Sequence, residues 1–235
     1  MINEAVILAG GLGTRLRSVV STKPKPMADI NGRPFLEYVL HYLEKQGITK
    51  VVLAVGYMYE TIVNHFSRTY KGLEVSYSIE EEPLGTGGAL RKALTYTDST
   101  NLYVLNGDTL FMVDLKKMRD FHVSKNSVLT VALKRIEKSN RYGSVTINEG
   151  QKIVSFQEKS SSSTTQLING GVYLLSRNIF EKVELPEKFS FEKDFLERYY
   201  DQLDFYGFVS EGYFIDIGVP EDYERAQQEL SRFQF

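Results

Sequence analysis

A glycine-rich segment near the N-terminus has the composition of a phosphate-binding loop. Its residues are Leu8, Ala9, Gly10, Gly11, Leu12, Gly13, Thr14 and Arg15. Glycines let the backbone turn sharply and approach a ligand, so that successive peptide N–H groups can point at phosphate oxygens. Arg15 and the following Lys25 add a forked cation and a point charge. The segment predicts a nucleoside triphosphate site; a merely tight strand-to-helix turn would explain the glycines but not the cations.

Two aspartates are candidate ligands for Mg²⁺. Asp108 follows the apolar run 102–105, so it should project from the carboxyl end of a central strand, where open α/β sheets bind ligands. Asp216 stands between two isoleucines and is costly to bury unless it meets a cation or hydrogen-bond donors. Since Mg²⁺ prefers oxygen ligands, we expect both carboxylates to converge on one ion. An Asp at position 108 that only caps a helix or closes a turn remains an alternative.

A second glycine-rich turn, residues 81–89, contains Glu82 and Gly87. Its backbone could approach a planar base, and a carboxylate at Glu82 could accept two hydrogen bonds from adjacent N–H donors of guanine. A solvated acidic run over residues 80–82 explains the same pattern, so the base stays open at this point.

A different set of polar residues occurs in the second half of the chain. Its candidate members are Gly143, Glu158, Lys159 and Asn169. Glu158 and Asn169 could bond sugar hydroxyls, and Lys159 could neutralise a sugar phosphate. Each residue alone would be ordinary surface chemistry, and only their occurrence together indicates a sugar-phosphate site.

The elements that must position these residues alternate in the first half of the chain. Short β-rich runs at 5–8, 51–55, 75–79 and 102–105 are separated by helical spacing, which predicts a mostly parallel, doubly wound (Rossmann-like) α/β sheet. The clearest helix begins at Pro34 and ends before Gly47, with an apolar stripe at i, i+3, i+4 and i+7. After Asp108 the strands have short connections, which predicts an antiparallel or mixed sugar-binding extension. Residues 160–165 predict a surface loop, and two late helices are expected around 192–200 and 220–232.

The bulk composition limits the classes of function. The chain has 235 residues, a net charge of −2 and no cysteine. We expect one domain over 1–235, with a nucleotide-binding half at 1–110 and a sugar-phosphate-binding half at 111–235. The charge balance favours neither a nucleic-acid nor a membrane partner, and the absence of cysteine and of a leader-like start fits the cytoplasm. The sequence leaves a homo-oligomer open.

Two other classes of enzyme are disfavoured. The second strand ends in Val55-Gly56-Tyr57, without the acidic residue that would hold the ribose of NAD. His41, His65 and His122 have no metal-ligand spacing, and none accompanies a convincing serine nucleophile. We interpret the three histidines as structural.

In this order and over nearly the whole chain, the motifs resemble the sugar-1-phosphate nucleotidyltransferases. The resemblance implies a triphosphate loop at residues 8–15 with a phosphate-contacting Lys25, and magnesium-binding aspartates at 108 and 216. It also implies base contacts from Glu82 and Gly87, and sugar-phosphate contacts from Gly143, Glu158, Lys159 and Asn169. The implied catalytic set is Arg15, Lys25, Asp108 and Asp216.

Within that family, the turn at 84–89 and the segment 104–111 look most similar to guanylyltransferases that use D-glycero-D-manno-heptose 1-phosphate. GTP and this heptose 1-phosphate are therefore the expected substrates, with pyrophosphate and a nucleotide-sugar as products. Two departures from the family pattern are the absence of a proline after the arginine loop and Ser160 in place of the proline of Glu-Lys-Pro. The second lies beside the expected sugar site. Alternatives are a UTP-dependent uridylyltransferase, a mannose-1-phosphate guanylyltransferase and, in another class, a non-catalytic nucleotide-sugar sensor.

Overall fold

The computed structural model describes residues 2–11, 13, 16, 23–137, 142–157 and 166–233. The strands are β1 (Glu4–Leu8), β2 (Asp29–Ile30), β3 (Arg33–Pro34), β4 (Lys50–Val55), β5 (Thr69–Tyr70), β6 (Leu73–Ile79), β7 (Asn101–Asn106), β8 (Thr109–Phe111), β9 (Leu129–Ile136), β10 (Ser144–Ile147), β11 (Ile153–Gln157), β12 (Gln166–Ser176), β13 (Phe205–Val209) and β14 (Phe214–Asp216).

The α-helices are α1 (Phe35–Lys45), α2 (Tyr59–Phe66), α3 (Gly85–Leu94), α4 (Leu115–Ser124), α5 (Glu197–Tyr199) and α6 (Pro220–Glu229). A π-helix, Phe191–Leu196, leads into α5, and short 3₁₀ turns span Lys25–Met27 and Leu230–Arg232. Both late helices predicted from the sequence are therefore present. The predicted loop at 160–165 lies outside the described residues.

The first half of the chain forms the parallel part of the main sheet. Its strands lie in the order β7-β1-β4-β6, and every neighbouring pair is parallel. The chain moves outward from β1 to β4 and β6, then returns to place β7 on the other side of β1. This reversal is the topological switch point at which open α/β sheets bind ligands. The predicted Rossmann-like sheet is confirmed.

The second half extends the same sheet. Strand β12 pairs antiparallel with β7 and with β9, β10 lies between β12 and β11, and β13 adds a parallel strand beside β9. The predicted mixed extension is therefore present. The sequence prediction missed β13 and the small antiparallel sheet of β8 and β14. The three residues of β8 and of β14 are too few to show a period.

Alternation along the central strands buries both faces of the sheet. Ala5 and Ile7 of β1 face a core that includes α1, α2 and α4, whereas Val6 between them faces a core that includes α3 and the π-helix. The predicted stripe of α1 is wholly buried. Pro34 caps this helix rather than forming its first residue, a one-residue difference at a helix boundary.

Candidate functional site

A cavity of about 960 Å³ opens at the carboxyl ends of β1, β4, β6 and β7. From the predicted triphosphate loop, the residues that line it are Leu8, Ala9, Gly10, Gly11 and Gly13. Lys25 and Asp108 line the same cavity. Thr14 and Arg15, which the sequence also assigns to this site, lie outside the described residues.

Strand register brings the glycine loop and the turn before Asp108 together. Leu8 is paired with Asn106 across β1 and β7, and the N–H of Gly107 donates to the carbonyl of Leu8 at 2.9 Å. On the other side, the N–H of Ala9 donates to the carbonyl of Ala54 at 2.8 Å. Leu8 and Ala9 thus lie between two neighbouring strands, at the edge of the sheet where the cavity opens.

Two glycines of the loop have little room for a side chain. A Cβ on Gly10 would lie 2.5 Å from Oε1 of Glu80, so a side chain there would displace this carboxylate. Gly13 has a φ of +59° and would place a Cβ 3.0 Å from the Cβ of Lys25. That backbone conformation is unfavourable for most other residues.

Lys25 lies between the two predicted metal-binding aspartates. Its ammonium hydrogen-bonds directly to Asp108 and lies 3.8 Å from Oδ1 of Asp216. The side chain of Lys25 is only 10% exposed, against 34% for Asp108 and 19% for Asp216. Carboxylates from distant parts of the sequence therefore converge on one cation, as the local apolar setting of Asp216 indicates.

The small sheet of β8 and β14 produces this convergence. Thr109 is paired with Asp216, and the N–H of Ile217 donates to the carbonyl of Asp108 at 3.0 Å. Asp216 Oδ1 also accepts from the N–H of Gly218 at 2.6 Å, which orients the carboxylate. A pairing of three residues thus brings together two aspartates that are 108 positions apart.

The electrostatics of the cluster favour an ionised Asp108. Partial burial disfavours the charged form, but the neighbouring Lys25 ammonium and its hydrogen bond outweigh that effect, so the pKa of Asp108 is lowered. Asp108 is therefore ionised at neutral pH and available to a cation.

The donor set of the two aspartates fits a hard divalent cation. Both carboxylates reach the same ammonium, and Mg²⁺ is commonly held by one or two carboxylates together with phosphate oxygens and water. Within the described parts of the chain, no cluster of three or more His, Cys, Asp or Glu side chains is placed to hold a metal ion. The arrangement suits an ion that obtains further ligands from a bound phosphate.

The second glycine-rich turn borders the cavity, but the two residues of it that were predicted to contact the base are not among the lining residues. Glu82 is exposed and Gly87 is buried, and neither lines the cavity, whereas the neighbouring Glu80 and Glu81 do. A Cβ on Gly87 would collide with the ring of Phe189, so this glycine is needed for helix packing. The half-buried Glu80 accepts from the N–H of Leu84 at 2.9 Å, and burial raises its pKa despite this bond.

The predicted sugar-phosphate residues are described only in part. The N–H of Asn169 donates to the carbonyl of Gly143 at 3.2 Å, so these two predicted residues meet. The Asn169 side chain donates to the hydroxyl of Tyr173 at 2.7 Å and accepts from the N–H of Gly171 at 3.0 Å. Glu158 and Lys159 lie outside the described residues.

Several cavity residues escaped the sequence analysis. They are Asn106, Tyr57, Met58, Thr86 and Glu80. Asn106 Oδ1 is buried and has no hydrogen-bond partner among the described residues, which is typical of a group that meets a ligand. The sequence held one indication of Tyr57, Met58 and Glu80, which is their position. Residues 56–58 and 80 directly follow β4 and β6 at the carboxyl edge of the sheet, where ligands bind.

The three histidines, interpreted from the sequence as structural, all lie on helices. His41 is in α1, His65 in α2 and His122 in α4. His122 is buried, and its Nδ1 lies 2.8 Å from the hydroxyl of Thr130. Burial lowers the pKa of His122 to about 4.

The switch-point cavity with a glycine loop, a lysine and two converging carboxylates is typical of an enzyme that handles nucleoside phosphates. The chain belongs to the nucleotidyl transferase family, whose model matches residues 4–232. The resemblance inferred from the motifs is thereby confirmed.

Within this family, the chain is similar to several individual proteins over nearly its full length. The chain is 53% identical over 230 residues to the D-glycero-alpha-D-manno-heptose 1-phosphate guanylyltransferase of Aneurinibacillus thermoaerophilus, covering 98% of this chain and 99% of that one. The protein of the same name from Campylobacter jejuni is 49% identical over 94% of this chain and 96% of its own length. The crystal structure of HddC from Yersinia pseudotuberculosis, also solved as a complex with GMP-PN, is 40% identical with a TM-score of 0.87, covering 97% of this chain and 100% of that one.

The helices in the described ranges include none with the length and apolar character needed to cross a membrane.

Proposed function

We propose that this enzyme transfers GMP from GTP to D-glycero-α-D-manno-heptose 1-phosphate, forming a nucleotide-sugar and pyrophosphate. The observation that carries the reaction class is the convergence of Lys25, Asp108 and Asp216 beside the glycine loop. The choice of substrates rests on the names of the two relatives that match nearly full length and on the GMP-PN complex of HddC. We propose Mg²⁺ as the divalent cation.

The chemistry needs no protein base. An oxygen of the sugar 1-phosphate, already ionised near pH 7, attacks the α-phosphorus of GTP and forms a new P–O bond. The bond from the α-phosphorus to the bridging oxygen breaks, and its electron pair leaves with pyrophosphate. Alignment and charge neutralisation supply the catalysis, as in other phosphoryl-type transfers.

Each charged group of the cluster has a role in this proposal. Asp108 and Asp216 would hold the divalent cation, whose bound charge would neutralise phosphate oxygens around the α-phosphorus. Lys25 binds the α-phosphate region, and the N–H groups of Gly10, Gly11 and Gly13 bind the triphosphate. From the sequence alone, we retain Thr14 for triphosphate binding and Arg15 for the charge that develops on the departing pyrophosphate.

We assign base recognition to Glu80 in place of Glu82 and Gly87. Glu80 lines the cavity, whereas the other two residues do not. Its Oε2 is engaged by the N–H of Leu84, which fixes the carboxylate so that its remaining acceptor capacity can meet the N–H edge of guanine.

For the sugar phosphate, we retain Gly143, Glu158, Lys159 and Asn169. The contact between Asn169 and Gly143 supports a shared role for these two residues. We further propose a single domain in which residues 1–110 hold the nucleotide and residues 111–235 hold the sugar phosphate.

The test is pyrophosphate release over a matrix of nucleoside triphosphates and sugar 1-phosphates with Mg²⁺. GTP with D-glycero-α-D-manno-heptose 1-phosphate should give the highest kcat/KM. Preference for UTP or for mannose 1-phosphate would overturn the substrate assignment but would leave the proposed class of reaction unchanged. Binding of a nucleotide-sugar without turnover of any pair would instead support a sensor.

A further inference from the structure

A chain of hydrogen bonds joins the cavity to the strand that carries Asn169. At its centre is Glu192, a half-buried residue of the π-helix that no motif of the sequence had singled out. The hydroxyl of Thr86 donates to Glu192 Oε2 at 2.8 Å, and the hydroxyl of Tyr173 donates to Oε1 at 3.5 Å. Tyr173 in turn accepts from the side-chain amide of Asn169.

The two ends of this chain belong to different sides of the site. Thr86 lies in the first turn of α3 and lines the cavity. Asn169 lies on β12, where its backbone contacts Gly143. Glu192 is thus the single side chain among the described residues through which these hydrogen bonds connect the cavity wall to β12.

The local backbone holds Glu192 firmly between its partners. The N–H of Phe191 donates to the hydroxyl of Thr86 at 2.8 Å, and the N–H groups of Gly87 and Gly88 donate to the carbonyl of Phe189 at 3.0 and 3.3 Å. The Phe191 ring packs edge-on against the Tyr173 ring at a centroid distance of 5.0 Å. π-Helical turns are rare and frequently occur at functional sites.

Tyr173 makes the connection directional. Its side chain is fully buried, and burial with the nearby Glu192 carboxylate raises its pKa well above the ordinary tyrosine value. The hydroxyl is therefore protonated at working pH. Its single proton goes to Glu192, so its lone pair is free to accept from Asn169.

We propose that Glu192 is a positioning residue that joins the nucleotide side and the sugar-phosphate side of the site. One carboxylate oxygen holds Thr86, and the other holds Tyr173 and, through it, the amide of Asn169 in the orientation that binds the sugar phosphate. This inference rests on the proposed function, since Asn169 acts there on the sugar phosphate.

The experiment compares Glu192→Ala, Tyr173→Phe and the double variant in KM and kcat for both substrates, with GTP and the heptose 1-phosphate. Each single substitution should raise the KM for the sugar 1-phosphate by about 3- to 10-fold, the effect of one lost hydrogen bond. The KM of the double variant for the sugar 1-phosphate should not exceed that of the more impaired single variant, because both substitutions break the same chain of hydrogen bonds. Only Glu192→Ala should also raise the KM for GTP, because it alone releases Thr86.

Two further variants separate positioning from folding. Glu192→Gln keeps one acceptor oxygen and should recover part of the lost affinity. Asp194→Asn changes the carboxylate that accepts from the N–H of Ser190 at the start of the same π-helix, without touching Thr86 or Tyr173. It should leave both KM values within twofold, and thermal unfolding would verify that all variants are folded.

An unchanged sugar-phosphate KM in Tyr173→Phe, or additive effects in the double variant, would overturn the role of Glu192. Failure of the proposed function has a different signature, because the unmodified enzyme itself would then not turn over GTP with the heptose 1-phosphate. That outcome would remove the present inference as well.

Discussion

The ammonium of Lys25 contacts the carboxylate of Asp108 and stands within 3.8 Å of Asp216. One lysine therefore offsets one of the two negative charges of acids that would otherwise repel each other more strongly. Removing Lys25 should leave the two carboxylates with an uncompensated negative charge.

Lys25→Met should consequently bind a divalent cation more tightly in the absence of nucleotide. The expected result is a larger rise in Tm on addition of Mg²⁺ than the unmodified enzyme shows, together with a loss of turnover of about 100-fold or more. Lys23→Met, which alters an exposed lysine two residues away, is the control. An equal or smaller Mg²⁺-dependent shift in Lys25→Met would contradict the charge argument.

Asp108→Asn and Asp216→Asn should each lose most turnover at saturating Mg²⁺ while remaining folded. The expected loss is about 100-fold or more, since an amide is a poorer ligand for a hard cation than a carboxylate. Pyrophosphate release measures the effect, and Asp201→Asn on the exposed turn after α5 serves as the matched control. Normal turnover in both variants would refute the assignment of these aspartates to the metal.

Glu80→Gln should selectively weaken the binding of GTP. The substitution replaces an acceptor oxygen of the cavity wall by a donor, so the KM for GTP should rise by about 10-fold or more and the preference over UTP should fall. Glu82→Gln should change either value by less than about twofold, because Glu82 is exposed and does not line the cavity. The reverse ranking would restore Glu82 as the base-binding residue.

Gly87→Ala should destabilise the fold. The added Cβ would collide with the ring of Phe189, and such overpacking costs about 1 to 3 kcal/mol of unfolding free energy. Urea unfolding measures the loss. Phe189→Leu in the Gly87→Ala background should recover part of it, whereas a normal stability with an altered base preference would indicate direct base contact.

His122 should make the enzyme sensitive to acid. Its pKa is about 4 in the folded protein because of burial, and about 6.5 in the unfolded chain. The unfolded state therefore binds more protons between these values, so stability is present above pH 6.5 and falls as the pH drops toward 4. The free energy of unfolding should fall by about 2 to 4 kcal/mol over this range. Urea unfolding at several pH values measures the decline.

His122→Gln should flatten that pH dependence, since glutamine does not titrate and can still bond the hydroxyl of Thr130. An unaltered slope in His122→Gln would assign the acid sensitivity to other groups.

The sequence predicted the parallel half of the fold because its signals are local. Apolar strands of five to seven residues, the stripe of α1 and the spacing of glycines all depend on neighbours within a few positions. The strands β8 and β14 were missed, since three residues are too few to show a period.

Residue types alone determined the class of chemistry: a glycine loop, a lysine and two aspartates in apolar surroundings. Their meeting at Lys25 was decided only by the tertiary structure, because the pairing of Thr109 with Asp216 depends on the whole intervening chain. The tertiary structure likewise placed Glu80 rather than Glu82 in the cavity lining, since the direction in which a side chain points changes from one residue to the next at the end of a strand. The link from Thr86 through Glu192 to Asn169 joins residues up to 106 positions apart, and no local pattern encodes such a contact.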